Sequence, residues 1–295
     1  VWEDFVHAGA RLGSAERTRL SSINRRLAVL YAEFRARVLA AEDTWTHLTD
    51  EADLAGLPPA SVASAAAAAR ERSLPGWIVL NTRSSVDPFL TFAARRTLRE
   101  QVWRRFKRRG DEGDANDTNA TITTIVALRA ERARLLGYAS HAHWQMSDSM
   151  ARHPEHARRL LVEVWEAARR KVREEVEAMQ AIAAAEDPAL RIEPWDYLYY
   201  AEQVRRASFD LDVSELAAYF SLEQMVQAAL WSAAERYGLE FVEITGSVPV
   251  FHPDVRVWEV RDRPGRAHRG LFYFDTFARP GKRSGAWAST YRVQR

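Results

Sequence analysis

The chain contains no cysteine, which excludes disulfides, thiolate metal ligands and a thiol nucleophile. It has no uninterrupted apolar run of about eighteen residues, so no segment reads as a membrane-spanning helix. Charge of one sign is not in excess. Lys and Arg number 42 against 40 for Asp and Glu, a net charge of +2 that points to no polyanionic partner. No Gly-x-Ser-x-Gly elbow, phosphate-binding loop or dinucleotide fingerprint occurs, and no repeat of solenoid period is found. Val1-Trp2-Glu3-Asp4-Phe5 opens the chain without an initiator Met, a basic n-region or an apolar h-region. The expectation is of a start inside a helical domain, with no signal peptide to read.

What is present is helical pattern. The 295 residues are 47% hydrophobic, enough to bury a core. From Ser14 to about Gly238 the spacing is helical. Leu20, Ile23, Leu27, Leu30, Phe34 and Val38 recur at three- and four-residue steps and need another helix as partner. Asp87-Pro88 reads as an N-cap and first helical position, with Gly110 as the stop, which predicts one helix over Pro88 to Arg109. A third helix runs from Asn119 to Leu136, closed by Gly137. The longest covers Pro154 to about Asp187, where Leu161, Val164, Trp165, Ala168, Val172, Val176, Met179 and Ile182 form a near-heptad stripe suited to an antiparallel helical pair. After Gly238 the texture changes. Leu239 to Ile244, Arg256 to Asp262 and Gly270 to Phe277 are rich in β-branched and aromatic residues, and Pro264-Gly265 marks a turn, predicting a small sheet. The fold class expected is mainly α, long antiparallel helices with a small β-sheet near the C-terminus, divided into residues 1–238 and 239–295.

Candidate chemistry in this pattern is sparse. His141 and His143, two apart on a helix, point about 200° away from each other and cannot clamp one metal; they read as solvated or capping residues. His153 and His156 are spaced to share a helix face, but Pro154 puts His153 at the helix start and no acidic third ligand is apparent. Asp111 to Asn119 is rich in oxygen donors. An EF-hand opening at Asp114 would have Asn119 where Gly is needed and Ile125 where Glu is needed, so it reads as a polar loop. Glu174, Glu175 and Glu177 interleave with Arg169, Arg170, Lys171 and Arg173 as ion pairs on an exposed face. Between Arg95 and Arg109 stand eight Lys or Arg residues and one Glu, with Trp103 and Phe106 interleaved. Nucleic-acid binding is one reading; a solvated cationic back to a core-facing side made by Phe89, Ala93, Val102, Trp103 and Phe106 is the preferred one.

Five blocks, Val38–Leu57, Leu128–Trp144, Pro194–Arg205, Val248–Val260 and Gly270–Trp287, resemble in the same order the thimet oligopeptidase family of zinc metallopeptidases, and most closely its peptidyl-dipeptidase (dipeptidyl carboxypeptidase) branch. The segment from Asp275 to Trp287 resembles the one that leads into that family's zinc-binding helix; Ala288 departs from it, where the family pattern has Met. The resemblance implies a two-lobed fold with a deep channel that admits short peptides. It further implies a zinc centre in the complete enzyme, held by a His-Glu-x-x-His helix and a later Glu. No His-Glu-x-x-His occurs in these 295 residues. A fragment without catalytic residues, binding no zinc and inactive alone, is therefore expected. Its partners would be short peptides for the complete enzyme and the missing catalytic half, with neither nucleic acid nor membrane, in the cytoplasm or else the periplasm. The resemblance also implies an edge strand around Ser284, Gly285, Ala286 and Trp287, where small residues let a substrate backbone pair. Tight packing of Gly285 and Ala286 against the missing helix explains the same residues equally well. Loss of that cover predicts an exposed patch at Phe272, Phe274 and Trp287 that promotes association. A stand-alone helical scaffold or interaction protein derived from the family is the alternative.

Overall fold

The structure, a computed structural model, describes residues 2–209, 216, 219–279, 281–282 and 288–292. These form two compact units, one of residues 2–209 together with 288–292 and the other within residues 210–283. The mainly helical class with small antiparallel sheets is observed.

In the first unit a short helix α1 (Trp2–His7) precedes α2 (Ser14–Glu42). Glu16 starts α2 by accepting the Gly13 N–H at 2.9 Å, satisfying one of the orphan donors of the first turn. Leu20, Ile23, Leu27 and Leu30 are buried along α2, as their spacing predicts, whereas Phe34 and Val38 are half-buried. The helix that covers them is α6 (Asn119–Leu135), through Ile125, Leu128 and Leu135. Each such aliphatic side chain, fully buried, contributes about 1.5–3 kcal/mol.

Between these helices the chain does something the helical periodicity did not announce. Strands β1 (Trp45–Leu48) and β2 (Trp77–Leu80) pair antiparallel, with α3 (Pro59–Glu71) inserted between them. Four-residue strands are too short for a period of two to stand out from helical spacing. They carry Leu48, Ile78 and Val79 into the core.

The single helix expected from Pro88 to Arg109 is two: α4 (Arg83–Phe92) and α5 (Arg96–Lys107). Pro88 lies inside α4 rather than at its first position. The break at Ala93–Arg95 is held by tertiary bonds. The Ala94 N–H donates to Ala55 O at 2.8 Å, and Arg99 Nη1 donates to the carbonyls of Ala93 at 2.8 Å and Ala94 at 3.0 Å. Gly56 permits this approach, because a Cβ there would lie 2.3 Å from Phe92 O.

Helix α7 (His141–Met146) leads into α8 (Pro154–Glu186), and α9 (Tyr197–Phe209) packs against α8 near its C-terminal end. Met179 and Ala183 of α8 are buried with Tyr200 of α9. The N-terminal part of the predicted stripe is not covered: Leu161, Val164, Trp165 and Val172 are exposed among the described residues, whereas Val176 and Ile182 are half-buried.

In the second unit, α10 (Leu222–Tyr237) is capped by Ser221 and ends at Gly238, whose φ of 62° places it in the left-handed region that glycine favours. Strands β3 (Leu239–Glu243), β4 (Arg256–Asp262) and β5 (His268–Phe274) form one antiparallel sheet in that order, close to the boundaries expected from composition. Trp258 pairs with Phe272, and Phe241 with Val260. The rings of Phe241, Trp258, Phe272 and Phe274 meet at centroid separations of 5.9–6.3 Å.

Candidate functional site

The edge strand expected at Ser284, Gly285, Ala286 and Trp287 lies outside the described residues. What precedes it is described. Strand β5 has a strand neighbour only on the β4 side among the described residues. Past β5 the chain is clamped into a turn by Asp275, which accepts from Arg279 at 2.6 and 2.8 Å while Lys282 Nζ donates to Asp275 O at 2.6 Å. The Arg279 hydrogen bonds, with Lys282 assisting, hold the Asp275 carboxyl at about 2, well below the ordinary aspartate range. On the sheet, Phe272 is 37% exposed, Leu271 43% and Tyr273 42%, while Trp258 is 5% exposed. Exposed apolar side chains therefore stand on both faces of β5.

A second constellation comes from the Pro194–Arg205 block. Asp196, fully buried, receives Arg96 Nη2 at 2.8 Å and Arg99 Nη2 at 2.9 Å. Burial pushes the Asp196 carboxyl up, but the hydrogen bonds from Arg96 and Arg99 outweigh it and hold it below the aspartate norm. Arg99, 1% exposed, corrects the reading of the basic cluster as a wholly solvated back. Most of the cluster is turned to intramolecular acceptors: Arg95 to Asp53, Arg104 to Glu100, Arg105 to Trp45 O and Arg109 to Glu42. Beside this anchor Trp195, Trp103, Phe106, Leu90 and Lys107 line a cleft of about 410 Å³. Arg99 and Asp196 were missed in the sequence. The available signal was one aspartate set among Trp195, Tyr197, Tyr199 and Tyr200, where an acid is costly unless paired.

The four histidines singled out in the sequence meet local neighbours, although His141 Nδ1 is buried without a hydrogen-bond partner. His143 Nδ1 sits 2.8 Å from Ser140 Oγ, and His141 lies against the Trp144 ring at 5.5 Å. His153 and His156 meet edge to face at 5.5 Å, with His156 Nδ1 2.9 Å from Ala151 O. The acidic loop after α5 turns its carboxylates onto its own backbone: Asp114 accepts from Asn116 N, and Asp117 from Gly113 N and Asn119 N. Among the described residues no three His, Asp or Glu side chains gather as a metal site. The described donors do not assemble the ligand set of a catalytic zinc centre.

The sequence profile of Peptidase family M3 matches residues 89–295. The chain is a member of that peptidase family. Over its whole length it is 38% identical to dipeptidyl carboxypeptidase of Escherichia coli strain K12. It is 32% identical over 96% of its length to oligopeptidase A of the same strain, and 33% identical over 56% to mitochondrial intermediate peptidase of Aspergillus fumigatus. The chain spans 43%, 42% and 20% of those relatives respectively, less than half of each. No described helix is long and apolar enough to cross a membrane.

Proposed function

We propose that this chain is a structural portion of a zinc-dependent peptidase that removes dipeptides from the C-terminus of short peptides. In this reading the helices make one wall of the channel that admits the substrate. A peptide backbone aligns as an added strand along Ser284–Trp287, the residues that follow the Asp275 turn in the sequence. Alone, the chain performs no hydrolysis, because zinc-activated water needs ligands and a general base that these 295 residues do not arrange. Supporting the reading above all is the end-to-end match at 38% identity to a protein named dipeptidyl carboxypeptidase.

The test is a peptidase assay on short blocked peptides, with metal analysis, on this chain alone and on a chain extended by the remaining length of the relatives. The extended chain is expected to release dipeptides in a chelator-sensitive manner and the 295-residue chain to do neither. Stoichiometric zinc and chelator-sensitive trimming by the short chain would overturn the division of labour. A second reading, a helical interaction protein derived from the family, is favoured by one observation, the exposed apolar stripe on α8. Chelator-insensitive inactivity of the extended chain would select it.

A further inference from the structure

Residues on helices α1, α2, α6 and α7 line an open cleft of about 330 Å³ to which the peptidase reading assigns nothing. One side is apolar and built by Leu20, Leu27 and Ala28 of α2. The other is cationic. Arg132 lines it, with its guanidinium 4.3 Å from the Trp144 ring centre and Nη1 donating to Asn24 Oδ1 at 3.2 Å. Its Nε is buried with no hydrogen-bond partner. One turn away Arg129 Nε donates to Tyr31 Oη at 2.8 Å.

Neither Arg129 nor Arg132 forms an ion pair with any described residue, and the intervening Glu131 is committed to Arg19 at 2.6 Å. Elsewhere in the same unit the enclosed arginines are answered by acids, Arg99 by Asp196 and Arg109 by Glu42. Burial, with Arg129 adding repulsion, lowers the Arg132 pKa. His141 reports the same field: burial first, then Arg129 and Arg132, lowers its pKa, and its Nδ1 is buried without a partner. A guanidinium offers a planar fork of five donors matched to a carboxylate. Here the buried Nε has no acceptor among the described residues, and the guanidinium that carries it lines a cleft with an apolar side.

We propose that this cleft binds a small monocarboxylate with an apolar tail, the carboxylate pairing with Arg132 and the tail lying against Leu20, Leu27 and Ala28. The volume matches roughly eleven water molecules at about 30 Å³ each, room for a ligand of a handful of heavy atoms. Inorganic phosphate satisfies the charge but leaves the apolar side wet, and a neutral amide of equal shape satisfies the tail but not the guanidinium.

The experiment is calorimetric and ligand-observed NMR titration of the full 295-residue chain with hexanoate, hexanamide and inorganic phosphate. Saturable one-to-one binding of hexanoate is expected, with hexanamide and phosphate each weaker by about tenfold or more, as for a lost charge-assisted pair. Arg132→Gln should weaken hexanoate by a similar factor. Ala28→Phe, at an exposed helical position that faces the cleft, should block the tail while leaving Arg132 in place, and it carries the test should Arg132→Gln fail to fold. Equal affinity for hexanoate and hexanamide, tighter binding of phosphate, or hexanoate binding retained in Ala28→Phe overturns the proposal.

Discussion

Met179 and Ala183, toward the C-terminal end of α8, are 4% and 0% exposed, whereas Leu161, Val164 and Trp165, earlier on the same stripe, are 68%, 59% and 62% exposed. Both halves have the same periodicity, so helical spacing identifies a face that can be buried and is silent on what will lie there. The buried half owes its state to α9 and to the loop before it. Gln180 binds that loop from both ends of its amide, donating to Leu190 O at 2.8 Å and accepting from Ile192 N at 3.1 Å. Tyr200 donates to Glu186 at 2.9 Å, and Asp196 holds the start of α9 on Arg96 and Arg99. No comparable set of bonds reaches the exposed half among the described residues.

Substitutions along this one helix and its anchor break or sharpen the contrast, and the largest effect belongs to the anchor. Asp196→Ala leaves Arg99 buried without its carboxylate and should cost about 3–5 kcal/mol in urea unfolding. A loss under about 1 kcal/mol would mean that α9 stays docked without the pair. The same group sets an acid limb. Its folded pKa is depressed, so its stabilisation is complete above the ordinary aspartate value of about 3.9 and disappears as pH falls through the folded value. Unfolding midpoints measured from pH 7 to pH 3 should fall more steeply in the parent than in Asp196→Asn. Next comes Met179→Ala, expected to cost about 2–5 kcal/mol by opening a cavity against Tyr200. Tyr200→Phe should follow at about 1.5–3 kcal/mol, the range for a hydrogen bond to a charged group. It should also remove a phenol that burial and Glu186 hold above the usual tyrosine range, visible as an altered alkaline absorbance titration. Smallest of all, Leu161→Ser with Trp165→Ser should change the unfolding free energy by no more than about 0.5 kcal/mol. Sedimentation at high concentration should nonetheless show less association in that double variant; a large loss of stability would reveal that the stripe is already covered.

Where a partner is close in sequence or the pattern is long, the residues declared the fold. The bounds of α6 and α8 follow from spacing and end signals such as Gly137, and the buried face of α2 from the Leu20–Leu30 steps. Composition announced the three strands after Gly238. Long-range particulars stayed hidden. The break between α4 and α5 depends on Ala55, far away in sequence, and on the side chain of Arg99, neither of which alters local helical propensity. Strands β1 and β2 owe their pairing to each other across α3. Family membership was legible in five ordered blocks, the last of which includes Ser284–Trp287, where an edge strand was expected and which lie outside the described residues. The cleft at Arg132 escaped notice because an arginine on an amphipathic helix looks like every other solvent-facing arginine until its neighbours are known.

The uncovered half of α8 also has a consequence for limited digestion. Its backbone hydrogen bonds are internal to the helix and unsupported by packing, so local opening there costs less than anywhere along the α8–α9 contact. Arg169, Arg170, Lys171 and Arg173 fall within that stretch and are all exposed. Trypsin at low dose should therefore make its early cuts there, releasing two large pieces while the Met179–Tyr200 contact survives in the C-terminal one.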